Sequence, residues 1–307
     1  MRWQGIFPAV TTKFAEDLSL DHAAMERHFA WQVESGVDGL IVAGSLGEGS
    51  TLSHDERLAI AATAKRAGDG RVPVVLTVAE SATHRAVELA RRAEASGAVD
   101  GLMVLPPLLY HASPEEAAAW FLAVADASGL PVMAYNNPVS YKVDVTVAVL
   151  ERISSDPRIV AVKESSDDVR RVIAIRNALS DRLAVFAGVD NLALESLAVG
   201  ADGWVAGLVD AFPAETVAIW RLWRAGRHDE ALGIYRWFAP LLELDVSPRL
   251  VQHIKLAEAI VDVGNERVRP PRLPLTGPER ERVEGVVRKA LASRPTLPDR
   301  PATARAA

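Results

Sequence analysis

The stretch RIVAVKESSDD, residues 158–168, decides how the chain is read. Its apolar run, Ile159, Val160, Ala161 and Val162, shows no polar alternation. Such a run reads as a strand covered on both faces, the kind found in parallel sheets. Lys163 cuts it off, and Glu164, Ser165, Ser166, Asp167 and Asp168 supply N-cap candidates for a helix starting near Val169. Lys163 therefore falls where a buried strand ends and a βα loop begins. In α/β barrels and doubly wound sheets that rim binds ligands. A lysine there has two readings. It is an ammonium that snorkels to water or pairs with Glu164, or an amine desolvated enough to lose its proton and attack a carbonyl as a Schiff-base nucleophile. This stretch alone leaves both open.

The same strand-then-helix rhythm repeats outward in both directions. Apolar runs at residues 5–10, 39–43, 74–78, 101–105, 132–135, 159–163, 184–187 and 203–206 are strand candidates. Amphipathic patterns at 22–35, 54–67, 83–96, 114–127, 145–153, 169–179, 191–199 and 214–224 are the helices between them. Right-handed βαβ crossovers make such a sheet all-parallel, and eight units suit a closed (β/α)8 barrel of the α/β class. Ser53 with Glu56, and Ser113 with Glu116, have capping-box spacing. Gly36, Gly97 and Gly200 follow helices as left-handed caps. Residues 1–224 are thus expected to form the barrel. Residues 225–292, with helical patterns at 228–242, 248–261 and 279–292 and no strand between them, form a helical C-terminal extension. Residues 293–307, rich in Pro, Ala, Thr and Arg, are expected to be a disordered tail.

Composition narrows the function. The 307 residues are 49% hydrophobic and 24% charged, ordinary for a globular protein. A net charge of −6 disfavours nucleic-acid and anionic-membrane partners. With no cysteine there are no disulfides, thiolate nucleophiles or Cys-bound metals. The seven histidines form no H-x-H or H-E-x-x-H pair, so no histidine-bound metal is expected. Dinucleotide and P-loop glycine motifs are absent. The opening MRWQGIFPAVTTKF holds no apolar segment of signal-peptide length, and no run approaches a membrane span; the expectation is a soluble, cytoplasmic protein.

Three strand ends carry polar groups that barrel stability does not need. After the second strand comes GSLGEGST, residues 44–51, whose glycines permit tight turning, so that N–H groups near Ser45 and Leu46 would cradle a carboxylate. The bland alternative is a flexible loop. The fifth strand closes on Tyr135, Asn136, Asn137 and Pro138. Its phenol, one strand from Lys163, either shuttles protons or is merely packed by its ring. Lys163 is the third.

Gly44-Ser45-Leu46-Gly47-Glu48, Tyr135-Asn136-Asn137-Pro138 and Val162-Lys163-Glu164-Ser165-Ser166 resemble, in order and spacing, the signatures of the dihydrodipicolinate synthase/N-acetylneuraminate lyase family. The resemblance runs from about residue 3 to the helices near residue 290. It implies a metal-free class I (β/α)8 enzyme that forms a Schiff base with pyruvate or another 2-oxo acid, needs no PLP or nucleotide cofactor, and assembles as a homotetramer or homodimer. Lys163 would be the Schiff-base lysine, Tyr135 the proton-shuttling phenol, and Ser45 and Leu46 the seat of the substrate carboxylate.

Departures from the synthase pattern are equally informative. The synthase arginine two residues beyond the motif proline, which binds the second substrate's carboxylate, is Ser140 here. Its second hydroxyl residue after strand 2 is Leu46, and its relay tyrosine after strand 4 falls at Leu109, beside Tyr110. A serine cannot replace a bidentate arginine on a carboxylate. Taken together, GSLGEGSTL, LMVLPPLLYHAS, YNNPVSYKVD, AVKESSDDVRR and GWVAGLVDAFPAE are most similar to the 1-pyrroline-4-hydroxy-2-carboxylate deaminase subgroup, whose substrate is a cyclic imino acid. The alternatives are an aldolase or dehydratase for a 2-oxo-3-deoxy sugar acid, a dihydrodipicolinate synthase-like enzyme, and a barrel that only binds a 2-oxo acid. Gly44 and Gly207 are expected to border the substrate, and Tyr110 and Tyr141 to reach the pocket or a subunit contact. Glu48 is expected to brace its loop, Asp190 to cap the next helix, Trp204 to wall the pocket or fill the barrel, and Lys255 to be a snorkelling or paired surface lysine.

Overall fold

The computed structural model describes residues 1–298. Its strands are β1 Gly5–Pro8, β2 Leu40–Val42, β3 Val74–Val78, β4 Gly101–Val104, β5 Val132–Asn136, β6 Ile159–Glu164, β7 Ala184–Ala187 and β8 Gly203–Ala206. They pair in parallel in the order β1-β8-β7-β6-β5-β4-β3-β2, and a parallel bridge between Ala9 and Ile41 closes the circle. The chain is a (β/α)8 TIM barrel followed by C-terminal helices. Ala43, expected to end β2, takes a positive φ of 56° and opens the following loop instead. Strands β5 and β6 each run one residue longer than their apolar runs, because Asn136 and Glu164 still pair across them.

Around the barrel lie α1 His22–Ser35, α2 His54–Gly68, α3 Thr83–Ser96, α4 Pro114–Asp126, α5 Pro138–Tyr141, α6 Val147–Ile153, α7 Arg170–Leu179, α8 Ala193–Ala198 and α9 Pro213–Arg224. Both expected capping boxes form, at Ser53 with Glu56 and at Ser113 with Glu116. A single turn such as α5 leaves no periodicity to read; it exists because the Asn137 side chain accepts from Ser140 N–H and Pro138 occupies the first helical position. The C-terminal helices are α10 His228–Leu242, α11 Leu250–Ile260 and α12 Gly277–Ala292. Of the tail expected to be disordered, residues 299–307 lie outside the described residues. No helix among the described residues is long and apolar enough to cross a membrane.

Two apolar shells hold the barrel. Phe7, Ile41, Val75, Met103, Met133, Phe186 and Val205 fill its interior, with Tyr135 at the top. A larger shell lies between strands and helices and continues into α10, α11 and α12. Trp204 belongs to this outer shell, fully buried, so it neither walls the pocket nor fills the barrel. Alternation along β8 puts its neighbour Val205 inside instead.

Charge is buried as well as hydrocarbon. Lys255, expected at the surface, is completely buried on α11, where its Nζ donates to Glu48 Oε1 at 2.5 Å and to the Arg267 carbonyl at 2.6 Å. Glu48 Oε2 accepts from Arg269 N–H at 2.9 Å, so this carboxylate pins the β2 loop to the C-terminal helices. Beside it, Lys13 Nζ lies 2.6 Å from Glu258, in a buried cluster with His28 and Asp210. The cation among these three ligand-type residues is the lysine's own. Burial pulls His28 down to about 4, so it is neutral at physiological pH.

Removing one member of a buried pair strands the other charge. Lys255→Met should therefore cost about 3–5 kcal/mol in urea unfolding, and adding Glu48→Gln should recover much of it. A single variant as stable as the parent would show that the pair does not anchor the loop.

Candidate active site

Strand register delivers the two central groups. Tyr135 and Lys163 are direct partners across β5 and β6, at the C-terminal rim of the barrel. Lys163 is only 7% exposed, and its Nζ sits 4.2 Å from the centroid of the Tyr135 ring. Burial pulls the lysine below its ordinary range, a shift opposed by the acidic groups Tyr141, Asp245 and Asp190 around it. Burial likewise pushes the Tyr135 phenol up, so it remains a neutral donor and acceptor, and Asn137 Nδ2 donates to its oxygen at 3.2 Å. Of the two readings of Lys163, the snorkelling ammonium does not fit. The lysine makes no ion pair with Glu164, whose carboxylate accepts from Asn136 Nδ2 and the Ser166 N–H.

A glycine makes room for this lysine. A Cβ at Gly188 would lie 2.8 Å from Lys163 Cε and 2.1 Å from Ser165 Oγ. The small residue that follows β7 accommodates side chains from the end of β6.

Tyr141 completes a hydroxyl array. The short helix α5 swings its ring edge-on against Tyr135, with centroids 5.7 Å apart, and its hydroxyl lies 2.5 Å from Ser45 Oγ. The β2 loop beneath is tightly folded, and the flexible-loop reading does not hold. A Cβ at Gly49 would strike the Ala43 carbonyl at 2.2 Å, and Glu48 takes a positive φ of 56°. No hydrogen bond among the described residues takes the N–H of Ser45 or Leu46, which leaves both donors for a ligand.

These groups line one cavity of about 650 Å³: Gly44, Ser45, Leu46, Tyr135, Tyr141, Lys163, Gly188 and Gly207 all border it. Tyr110 does not. It is 56% exposed, and its hydroxyl donates to Glu116 at 2.9 Å, because Leu109 at φ 67° turns the chain outward. Asp190 does not cap a helix. Its carboxylate accepts from Trp204 Nε1 and from the N–H groups of Gly207 and Leu208, fixing the end of β8. Asp245, which the sequence reading passed over, also borders the cavity, as does Arg272 at 3.8 Å from Glu48. Nothing in the sequence around Asp245 marks it, since it follows α10, far from any strand end.

Such an arrangement offers a poorly solvated amine, neutral phenols to move protons, and N–H groups to seat a carboxylate. That is the equipment for Schiff-base chemistry on a 2-oxo or 2-imino acid.

The chain is similar to known proteins in sequence and fold. The model of the dihydrodipicolinate synthetase family matches residues 2–290. A 4-hydroxy-tetrahydrodipicolinate synthase of Moorella thermoacetica is 34% identical over 290 residues, covering 93% of this chain and 97% of the relative. One from Acidiphilium cryptum is 32% identical, covering 89% of this chain and 93% of its own length. Among solved structures, the 4-hydroxy-tetrahydrodipicolinate synthase of Methylacidiphilum fumariolicum superposes with a TM-score of 0.89 at 28% identity, over 95% of this chain and 98% of that one. YagE, a prophage protein of the dihydrodipicolinic acid synthase family from E. coli K12 solved with pyruvate, gives 0.88 at 28% identity, over 94% and 99%.

A lowered lysine exposes free amine at lower pH than an exposed lysine does. Borohydride trapping of a 2-oxo acid on Lys163, followed by mass spectrometry across pH, should therefore rise and level off below the ordinary lysine range. An inflection at the usual lysine value would mean the amine is not desolvated.

Proposed function

The chain belongs to the dihydrodipicolinate synthetase family, a family of class I lyases and aldolases, and from that premise we propose that it is a lysine Schiff-base lyase that opens and deaminates 1-pyrroline-4-hydroxy-2-carboxylate. In this reading Lys163 is the nucleophile, Tyr135 moves the protons, and the N–H groups of Ser45 and Leu46 seat the single carboxylate. Lys163 attacks the C2 imine carbon, and the ring nitrogen leaves as the free amine of the opened chain. The resulting iminium draws electrons from C3, whose proton becomes acidic, and the 4-hydroxyl departs as water. The C5 imine formed next is hydrolysed to an aldehyde and ammonia. Hydrolysis at Lys163 then releases 2-oxoglutarate semialdehyde. One water leaves and two enter, so the net reaction consumes one.

The observation that carries this reading is the charge of the cavity wall. Ser140 stands where the synthases have their carboxylate-binding arginine, and Asp245 adds an acidic group to the same space. Arg272, the cavity's other basic residue, already faces Glu48 at the mouth. A wall of hydroxyls and carboxyls suits a substrate whose remaining groups are a hydroxyl and an amine, and offers a second carboxylate no cation of its own.

The names of the relatives favour a second reading, in which the same lysine binds pyruvate in a synthase-type reaction; aldol cleavage of a 2-oxo-3-deoxy sugar acid would use the same lysine. Product analysis separates the two. Ammonia and 2-oxoglutarate semialdehyde from the hydroxylated pyrroline support the first; pyruvate from a 2-oxo-3-deoxy sugar acid, with no ammonia, supports the second. In either, Lys163→Ala should lose turnover by at least about 10³-fold and all borohydride-trapped adduct, with its melting temperature retained. A variant that still turns over would remove the lysine from the chemistry.

A further inference from the structure

One half-buried carboxyl bordering the cavity has no structural partner. Asp245 follows α10 and reaches the cavity over the end of β8, where its Oδ1 lies 2.4 Å from the point a Cβ on Gly207 would occupy. No hydrogen bond or ion pair among the described residues engages its side chain, whereas Asp190 nearby is held by three donors. Asp245 is only half-buried and borders the same space as Lys163 and Tyr135. Burial and the neighbouring Asp190 push its carboxyl well above the ordinary range, against the pull of Lys163. A carboxyl of this kind keeps its proton where an exposed one has lost it, and is suited to act as an acid.

Resting on the ring-opening reading above, we propose that Asp245 is the general acid that protonates the departing 4-hydroxyl of the Lys163-bound intermediate. Loss of the C3 proton first leaves an enamine. Its nitrogen lone pair then re-forms the C2=N bond, the C2=C3 pair moves to C3=C4, and the C4–O bond breaks. The oxygen takes the Asp245 proton and leaves as water, and Asp245 becomes a carboxylate. It regains a proton from C5 as the double bond migrates toward the amine-bearing carbon, while C3 is reprotonated. No oxidant or reductant is needed.

Two variants test this with the full-length protein and the hydroxylated pyrroline. Asp245→Asn keeps the shape and removes the acidic proton. Gly207→Ala keeps the Asp245 residue but puts a methyl group 2.4 Å from its Oδ1, so the carboxyl has to move. Both should fold with parental melting behaviour and still trap substrate on Lys163 with borohydride. Their kcat should fall by about 10²–10⁴-fold. The trapped adduct in both should be the hydroxylated species, one water heavier than the dehydrated adduct the parent also yields. A purely structural role would lower trapping and turnover together. If the parent releases ammonia and Asp245→Asn keeps near-parental turnover, or yields dehydrated adduct, Asp245 is not the acid although the ring-opening reading stands. If the parent releases no ammonia from this substrate, that reading falls and this assignment falls with it.

Discussion

An ammonium cannot be left in the apolar mouth of a barrel without a cost, and the site is arranged around that constraint. Lys163 is the penultimate residue of a buried strand, so its side chain rises from the barrel interior, with Phe186 of β7 and Tyr135 of β5 as its register neighbours. Desolvation there favours the free amine. Nearby acidic groups favour the charged form, but Asp190 and Asp245 are themselves pushed toward neutrality by burial. Lysine and acids therefore limit each other's charge. A site that holds few full charges in its resting state is prepared for a reaction that creates a cationic iminium and moves protons around it.

The C-terminal helices take part in this arrangement. Lys255 on α11 neutralises Glu48, which fixes the loop that presents the Ser45 and Leu46 N–H groups. The turn between α10 and α11 supplies Asp245. A barrel lacking these helices would lose both the brace of its carboxylate seat and an acid of its cavity. Helices that read as an extension in the sequence are thus part of the site.

Most of the fold was legible because parallel strands covered on both faces show as unbroken apolar runs, and each is followed by a capped amphipathic helix. Lys163 and Tyr135 were legible for a related reason: a polar residue ending such a run has to lie at the rim. What escaped depends on where backbones bring distant residues. Lys255 sits in an amphipathic pattern that looks like a surface helix, and its partner Glu48 is 207 positions away. Asp190 stands at a helix start, the usual place of a cap, yet its carboxylate turns to the N–H groups that follow β8. Tyr110 and Tyr141 looked equivalent in the sequence. Only the left-handed backbone at Leu109 and the single turn of α5 send one to solvent and the other to Ser45.

Glycines at two neighbouring strand ends show how shape sets chemistry here. Small residues at the top of β7 and β8 suggest open space for a substrate, but both spaces are already taken. The volume at Gly188 holds the Lys163 stem, and the volume at Gly207 holds the Asp245 carboxyl. Each glycine gives up its own side chain so that a reactive group from another element can lie flat against the backbone. The cavity keeps its roughly 650 Å³ while an amine from β6 and an acid from the segment after α10 border it. A substrate on Lys163 would thus meet the Asp245 carboxyl in the same space, where a second carboxylate on the substrate would instead need a cation. The difference between the two proposed reactions therefore rests on which groups face the rest of the bound chain, and the room left at Gly207 puts the Asp245 carboxyl among the groups that border the cavity.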